Sequence, residues 1–219
     1  MPAFGMPAFD ARPPARRSGP ALARRRPGAW HSQDVRSDSA SPSRPDPPDD
    51  LAARVRAASH LTGEFLLRSG RVSNEYFDKY LFEADPVLLA DIVEGMCALL
   101  PPGDAILAGL ELGGIPLVTL LSARTGRPAR FVRKKAKEYG TRRVAEGGDL
   151  SGRVVVLIED VVTSGGAVVE AATVLRAEGA VVNDVLCVID RQEGGRDNLA
   201  AIGLTLRPLL TRADLDAAG

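Results

Sequence analysis

The sequence predicts an α/β fold: a mainly parallel central sheet flanked by helices, with a small N-terminal hood. Three observations carry this. Arg153-Val154-Val155-Val156-Leu157-Ile158 is a continuous valine-rich run, which suits a strand buried on both faces of a parallel sheet. It leads into Glu159-Asp160-Val161-Val162, then Thr163, Ser164, Gly165 and Gly166, and a helical pattern from Ala167 to Ala177. From residue 86 onward, apolar runs of strand length alternate with helical stretches, as βαβ units do.

A chain of 219 residues allows one sizeable domain with tails. Residues 1 to about 48 hold most of the sixteen prolines, many arginines and few branched aliphatics. Such a segment buries too little apolar area to offset chain entropy, so a disordered extension is expected. Met-Pro-Ala-Phe at 1–4 recurs at 6–9, and the segment lacks the apolar core of a secretory signal. A basic tail that touches RNA or a partner, or an upstream extension from a misassigned start codon, are the alternatives. The folded domain is then expected over 49–219.

Asp49 or Asp50 is expected to cap a helix reaching about Ser59, with Leu51, Val55 and Ala58 on one face. Gly63–Arg71 and Ser73–Tyr80 read as two short strands joined by a Ser-Gly turn. The plain reading is a surface hairpin, with Arg68 and Lys79 as solvated charges. The functional reading is a hood, over about 60–82, that presents the rings of Tyr76 and Phe77 to a flat ligand.

Pro86 to Leu100 reads as a helix with proline in its first turn, stopped by Pro101-Pro102-Gly103. Ala105–Ala108 is the next buried strand. It ends in Gly109-Leu110-Glu111-Leu112-Gly113-Gly114 before a helix to about Thr125, a second glycine loop able to hold an anion such as pyrophosphate. A short strand, Ala129–Val132, leads into the basic run Arg133–Arg143 and then Glu146-Gly147-Gly148-Asp149. Long loops in compact domains are often lids, so a cationic flap over about 134–149 that closes on a polyanion is weighed against a plain solvated face. Val181–Ile189 is a further strand, ending in Asp190-Arg191. Arg191 there suits a bidentate pair with a ligand carboxylate, or an edge salt bridge. Leu204–Leu210 is the last strand, and Thr211 is placed to cap a short terminal helix.

The central stretch has a specific chemistry. Ligands of open α/β sheets gather at the carboxyl ends of the strands. A loop of Thr, Ser and Gly there offers N–H groups and hydroxyls to an anion, and the following helix adds its unpaired N–H groups and positive dipole end. The lysine of a Walker loop is absent. Two carboxylates beside a phosphate cradle suit sugar hydroxyls, or Mg²⁺ held directly or through water. Together these features point to a ribose phosphate; an ordinary buried strand whose carboxylates cap the helix is the alternative. The formal net charge is zero, which gives no case for nucleic acid. No apolar run is long enough to span a bilayer, so no membrane partner is expected. Cys97 and Cys187 lie in apolar runs and read as free thiols, which fits a reducing cytoplasm. The absence of CxxC, HExxH or a His cluster argues against structural zinc.

The Glu159–Ala167 string resembles the phosphoribosyl pyrophosphate (PRPP) signature of the type I phosphoribosyltransferases. Gly63-Glu64-Phe65 with Ser69-Gly70-Arg71, the run Arg133-Lys134-x-Ala136-Lys137-Glu138, Glu146-Gly147-Gly148, and Asp190-Arg191-Gln192-Glu193 are similar to the bacterial orotate phosphoribosyltransferases, in that family's order and over about 50–212. The resemblance implies a type I phosphoribosyltransferase fold. It implies an enzyme that joins orotate to PRPP, giving orotidine 5′-monophosphate and pyrophosphate in pyrimidine synthesis. It also implies Mg²⁺, and a homodimer whose flap reaches into the neighbouring site. By the same resemblance, Glu159 and Asp160 hold the ribose hydroxyls. Val161, Val162, Thr163, Ser164, Gly165, Gly166 and Ala167 form the 5′-phosphate loop. Arg133, Lys134 and Lys137 bind pyrophosphate, with Tyr139 where members often carry histidine. Arg191 pairs with the orotate carboxylate, Thr163 lies near orotate, and Arg68, Tyr76 and Phe77 belong to its hood. Leu112 and Gly113 stand where some members place Tyr-Lys, and Leu110 where proline is common.

The implied chemistry leaves oxocarbenium character on the ribose as pyrophosphate departs, with Lys137 expected to have the largest single effect and Glu159 and Asp160 to fix the sugar. A type I transferase for another base, or a non-catalytic PRPP-binding regulator, are the competing readings. The intact cationic flap argues against a regulator, which has no departing pyrophosphate to stabilise.

Overall fold

A computed structural model describes residues 50–66, 70, 72–134 and 144–219. The expected disordered extension over 1–48 lies outside the described residues. The chain first forms α1 (Leu51–Ser59), which buries Leu51 and Val55 as its apolar spacing requires. Asp50 is the N-cap but makes no side-chain cap bond; its carboxylate lies 3.7 Å from Arg54, one turn on. Next, β1 (His60–Leu66) and β2 (Val72–Phe77) pair antiparallel, from His60 opposite Phe77 to Leu66 opposite Val72.

The second hood strand is shorter than the sequence suggests. It stops at Phe77 because Asp78 caps a new helix, α2 (Lys79–Ala84), its side chain accepting the Tyr80 N–H at 3.1 Å. Lys79 therefore sits in the first turn of a helix, not at the end of a strand. Asp85 caps α3 (Pro86–Leu99) in the same way, accepting from the N–H groups of Val87 and Leu88 at 2.9 Å each.

The remaining elements alternate: β3 (Ile106–Leu110), α4 (Gly114–Thr125), β4 (Ala129–Val132), β5 (Ala145–Glu146), β6 (Val154–Val162), α5 (Gly166–Ala177), β7 (Val181–Asp190), α6 (Gly195–Ala200), β8 (Thr205–Thr211) and α7 (Arg212–Ala217). Six strands form one sheet in the order β5-β4-β3-β6-β7-β8. All its pairings are parallel except β4 with β5. β6 is flanked on both sides, as its apolar run predicts. Val156 and Ile158 enter the core formed with α1, α3 and α4, whereas Val155 and Leu157 enter the core formed with α5 and α6. The period-two alternation of a strand places them so, and each such fully buried side chain contributes about 1.5–3 kcal/mol.

Besides α2, two elements were not legible beforehand: the two-residue β5 and the helix α6, which begins in a Gly-Gly pair. Thr211 caps α7 as expected, accepting from the Asp214 N–H in a capping box. Cys187 is buried in β7, Cys97 is half-buried on α3, and both are free thiols. Among the described residues, no helix is long and apolar enough to cross a membrane.

Candidate active site

The carboxyl end of β6 meets the hood at a cavity of about 660 Å³. β6 does not stop before the acidic pair: the strand carries Glu159 and Asp160 within it and ends at Val162. Glu159, Val161, Thr163 and Ala167 line the cavity from this unit. Val162 instead points into the core, 1% exposed. The loop that follows is shaped by Gly165, whose φ of +78° favours glycine, and α5 starts at Gly166. Ser164 is exposed, and its carbonyl accepts a hydrogen bond from Asn198 Nδ2 at 3.0 Å. This contact explains α6. Gly195 lets that helix approach so closely that a Cβ there would overlap the Thr163 carbonyl. The geometry of this loop is thus held from outside by a helix that the sequence did not announce.

Tyr76 and Phe77 line the cavity from the end of β2. Phe77 packs on the core. Tyr76 is partly exposed, and its ring centroid lies 5.4 Å from that of Phe65. Arg191 reaches the same cavity because its backbone N–H donates to the Val162 carbonyl at 2.8 Å, tying the end of β7 to the end of β6. Its guanidinium meets Glu193 at 2.9 Å. Arg133 and Lys134 close the cavity from the end of β4. The Arg133 N–H donates to the Val144 carbonyl at 2.9 Å, which joins the two ends of the described chain on either side of 135–143. The Lys134 N–H donates to Glu111 Oε1 at 2.6 Å. Arg133 and Arg191 each carry a buried Nε without a hydrogen-bond partner among the described residues, a condition that a polar ligand relieves. Arg68, Lys137 and Tyr139 lie outside the described residues.

Behind the cavity sits a cluster the sequence reading did not assemble. Asp160 is fully buried, and Lys79 Nζ lies 2.6 Å from its Oδ2. The other carboxylate oxygen, Oδ1, accepts the Val161 N–H at 2.5 Å. Glu83, one turn beyond Lys79 on α2, is 8% exposed and faces the same carboxylate. Gly113 closes the opposite side: a Cβ there would overlap Asp160 Oδ2 and stand 2.7 Å from Glu83 Oε1. Leu112, beside it, is exposed and lines the cavity, while Leu110 is buried at the end of β3.

The electrostatics of this cluster are uneven. Burial, then the hydrogen bond to Asp160 and its charge, pushes Glu159 well above the usual carboxylate range. Burial and the Asp160 charge push Glu83 up to about 8. Burial also opposes ionisation of Asp160, but hydrogen bonds from Glu159 and Lys79, with the lysine charge, outweigh it and hold that group low. Lys79 is raised: burial works against its charge, and its hydrogen bond to Asp160 together with the neighbouring negative charges outweighs this. At neutral pH Asp160 is therefore ionised beside the Lys79 cation, and Glu83 keeps its proton. Lys79 and Glu83 had only a weak signal in the sequence, a four-residue spacing behind the capping Asp78.

A phosphoribosyl transferase domain model matches residues 88–202. The orotate phosphoribosyltransferase of Nocardioides sp. (strain ATCC BAA-499 / JS614) is 59% identical over 168 residues, covering 77% of this chain and 94% of that relative. The chain belongs to the orotate phosphoribosyltransferase family. Solved structures of the Mycobacterium tuberculosis H37Rv orotate phosphoribosyltransferase agree in fold. Its complex with Fe(III) dicitrate has a TM-score of 0.69 at 34% identity, covering 76% of this chain and 97% of that one. Its complex with PRPP has a TM-score of 0.65 at 30% identity, over 76% and 97% of the two chains. The type I phosphoribosyltransferase fold expected from the sequence is thereby established, and the family's signature string is the one that forms the end of β6 and the start of α5.

Proposed function

We propose that the protein transfers ribose 5-phosphate from PRPP to orotate, giving orotidine 5′-monophosphate and pyrophosphate in pyrimidine biosynthesis. The observation that carries this is the cavity itself. The Val161–Ala167 loop, Glu159 with Asp160 buried behind it, three aromatic rings and four cationic residues converge on one space at the carboxyl end of β6. The bond from C1′ to the diphosphate oxygen breaks and the bond to orotate N1 forms, the N1 proton passing to water or to the departing diphosphate.

The phosphate loop from Val161 to Ala167 anchors the 5′-phosphate, with the α5 N-terminus adding its dipole. Glu159 and Asp160 receive the ribose hydroxyls. Arg133 and Lys134, with Lys137 and Tyr139 from the flap, receive the pyrophosphate. Arg191 pairs with the orotate carboxylate, Thr163 lies beside the base, and Arg68, Tyr76 and Phe77 hold the ring under the hood. Orotate already carries charge, so the protein supplies position and electrostatic stabilisation more than base catalysis. Closure of the flap keeps water from the developing cation.

Mg²⁺ is the cofactor of this reading. Among the described residues, no three His, Cys, Asp or Glu side chains gather as a metal cage, and Asp160 is engaged by Lys79. That donor set fits an ion carried on PRPP oxygens and reached through water near Glu159 and Asp160. When bound, it neutralises diphosphate charge. A homodimer with the flap shared across its interface, and a cytoplasmic location, complete the reading.

The test is to mix the purified protein with orotate, PRPP and Mg²⁺ and follow orotate absorbance. Loss that needs all three is expected; PRPP binding without turnover would favour the regulator, and consumption of a purine base the sibling transferase. Lys137→Ala is expected to lower turnover by roughly 10²-fold, the size of one lost transition-state donor. A near-normal rate would remove Lys137 from the mechanism.

A further inference from the structure

Asp160 poses a steric question. The reading above gives it to the ribose hydroxyls, yet its side chain has no exposed surface. Glu83 and Gly113 wall it on two sides, and Val161 holds Oδ1. Oδ2 is met by Lys79. That lysine is about one-third exposed and lines the cavity. An ion pair whose only task is stability gains little from such a position, because desolvation offsets most of the attraction. Here one partner is sealed and the other faces the substrate space.

We propose that Lys79 is a substrate-binding cation that occupies Asp160 in the empty site and transfers to the diphosphate of PRPP when the ribose hydroxyls take its place. The inference rests on the cavity being the PRPP site. It gives α2 a role that no motif residue of the flap or phosphate loop supplies. The ammonium stem is long enough to swing, and the exchange keeps every charge partnered: hydroxyl donors replace the ammonium on Asp160, and phosphate oxygens replace Asp160 on the ammonium. Glu83, carrying its proton beside Asp160, adds no competing anion during the exchange.

The test compares two ligands that differ only in the diphosphate. Dissociation constants for PRPP and for ribose 5-phosphate, each with Mg²⁺, are measured by calorimetry on wild type, Lys79→Ala, Lys79→Gln and Lys79→Arg. Lys79→Ala and Lys79→Gln should bind PRPP roughly tenfold or more weakly, the size of one charge-assisted hydrogen bond. They should bind ribose 5-phosphate as well as wild type or better, since no cation has to leave Asp160. Lys79→Arg should recover most of the PRPP affinity. Lys79→Gln retains a donor for Asp160, so it keeps the comparison valid if Lys79→Ala does not fold. Equal losses for both ligands, or none for either, would overturn the proposal. Wild type that binds no PRPP would overturn the site reading with it, whereas PRPP-binding wild type matched by the Lys79 variants would overturn this inference alone.

Discussion

Two strand–loop–helix units stand next to each other in the sheet: β3 into α4, and β6 into α5. Each reads as an apolar strand, a glycine pair and a helix, and each was expected to receive an anion. Their surroundings differ. The β6 loop exposes Ser164, turns through Gly165 in the left-handed region, and is braced by Asn198 through a main-chain carbonyl. The β3 loop is hemmed in by acids: Glu111 accepts the Lys134 N–H, and Gly113 lies against Asp160 and Glu83. A glycine loop before a helix supplies backbone shape. The charge it presents depends on what packs behind it.

The sharpest way to break this contrast is at Gly113. Gly113→Ala would drive a methyl into Asp160, and displacing a reacting group by an ångström costs about 10²-fold in rate. Steady-state kinetics and a melting curve together test this: a near-normal rate with unchanged stability would mean that the β3 loop has slack. Glu111→Ala should come next. It removes the acceptor for the flap-root N–H, a charge-assisted bond worth about 1.5–3 kcal/mol, so the apparent PRPP affinity should fall roughly tenfold with little change in melting temperature. Unchanged PRPP affinity would show that the root is held by the Arg133–Val144 bond alone.

The acids behind the β3 loop also predict a pH effect. In the folded chain Glu83 titrates at about 8, and in the unfolded chain it titrates in the ordinary glutamate range. Between those values the folded state binds the extra proton, so the stabilisation present at acid pH is lost as pH rises through about 8. Glu83→Gln should flatten that decline and melt higher than wild type at pH 9. Parallel melting curves for the two proteins across this range would contradict it. The smallest expected effect is on the other loop. Asn198→Ala deletes one brace, about 1 kcal/mol, and should raise the apparent Michaelis constant for PRPP only a few-fold while leaving the pH profile alone.

The central strand, its acidic pair and its hydroxyl–glycine loop were legible because their signal is contiguous. A strand buried on both faces needs an unbroken apolar run, and a helix start needs small residues beside it. The hood strands, the cationic root Arg133-Lys134 and Arg191 were legible for the same reason, each closing a recognisable local pattern. The helix α6 was not, since Gly194-Gly195 reads as a loop and only close approach to the Thr163 carbonyl explains Gly195. β5 is too short to carry any period.

By itself, the sequence determined the α/β class, the order of the strands along the chain, the hydroxyl–glycine loop after β6 and most of the groups that line the cavity, because those properties arise from residues near one another in the chain. Tertiary structure decided the state of Asp160. Lys79 and Glu83 precede it by most of the domain, and Gly113 lies on another loop. Which carboxylate is ionised and which cation guards it depends on burial and on distances of a few ångströms across elements. Spacing along the chain does not encode these, because Coulomb energy and desolvation depend on where the folded chain places the groups.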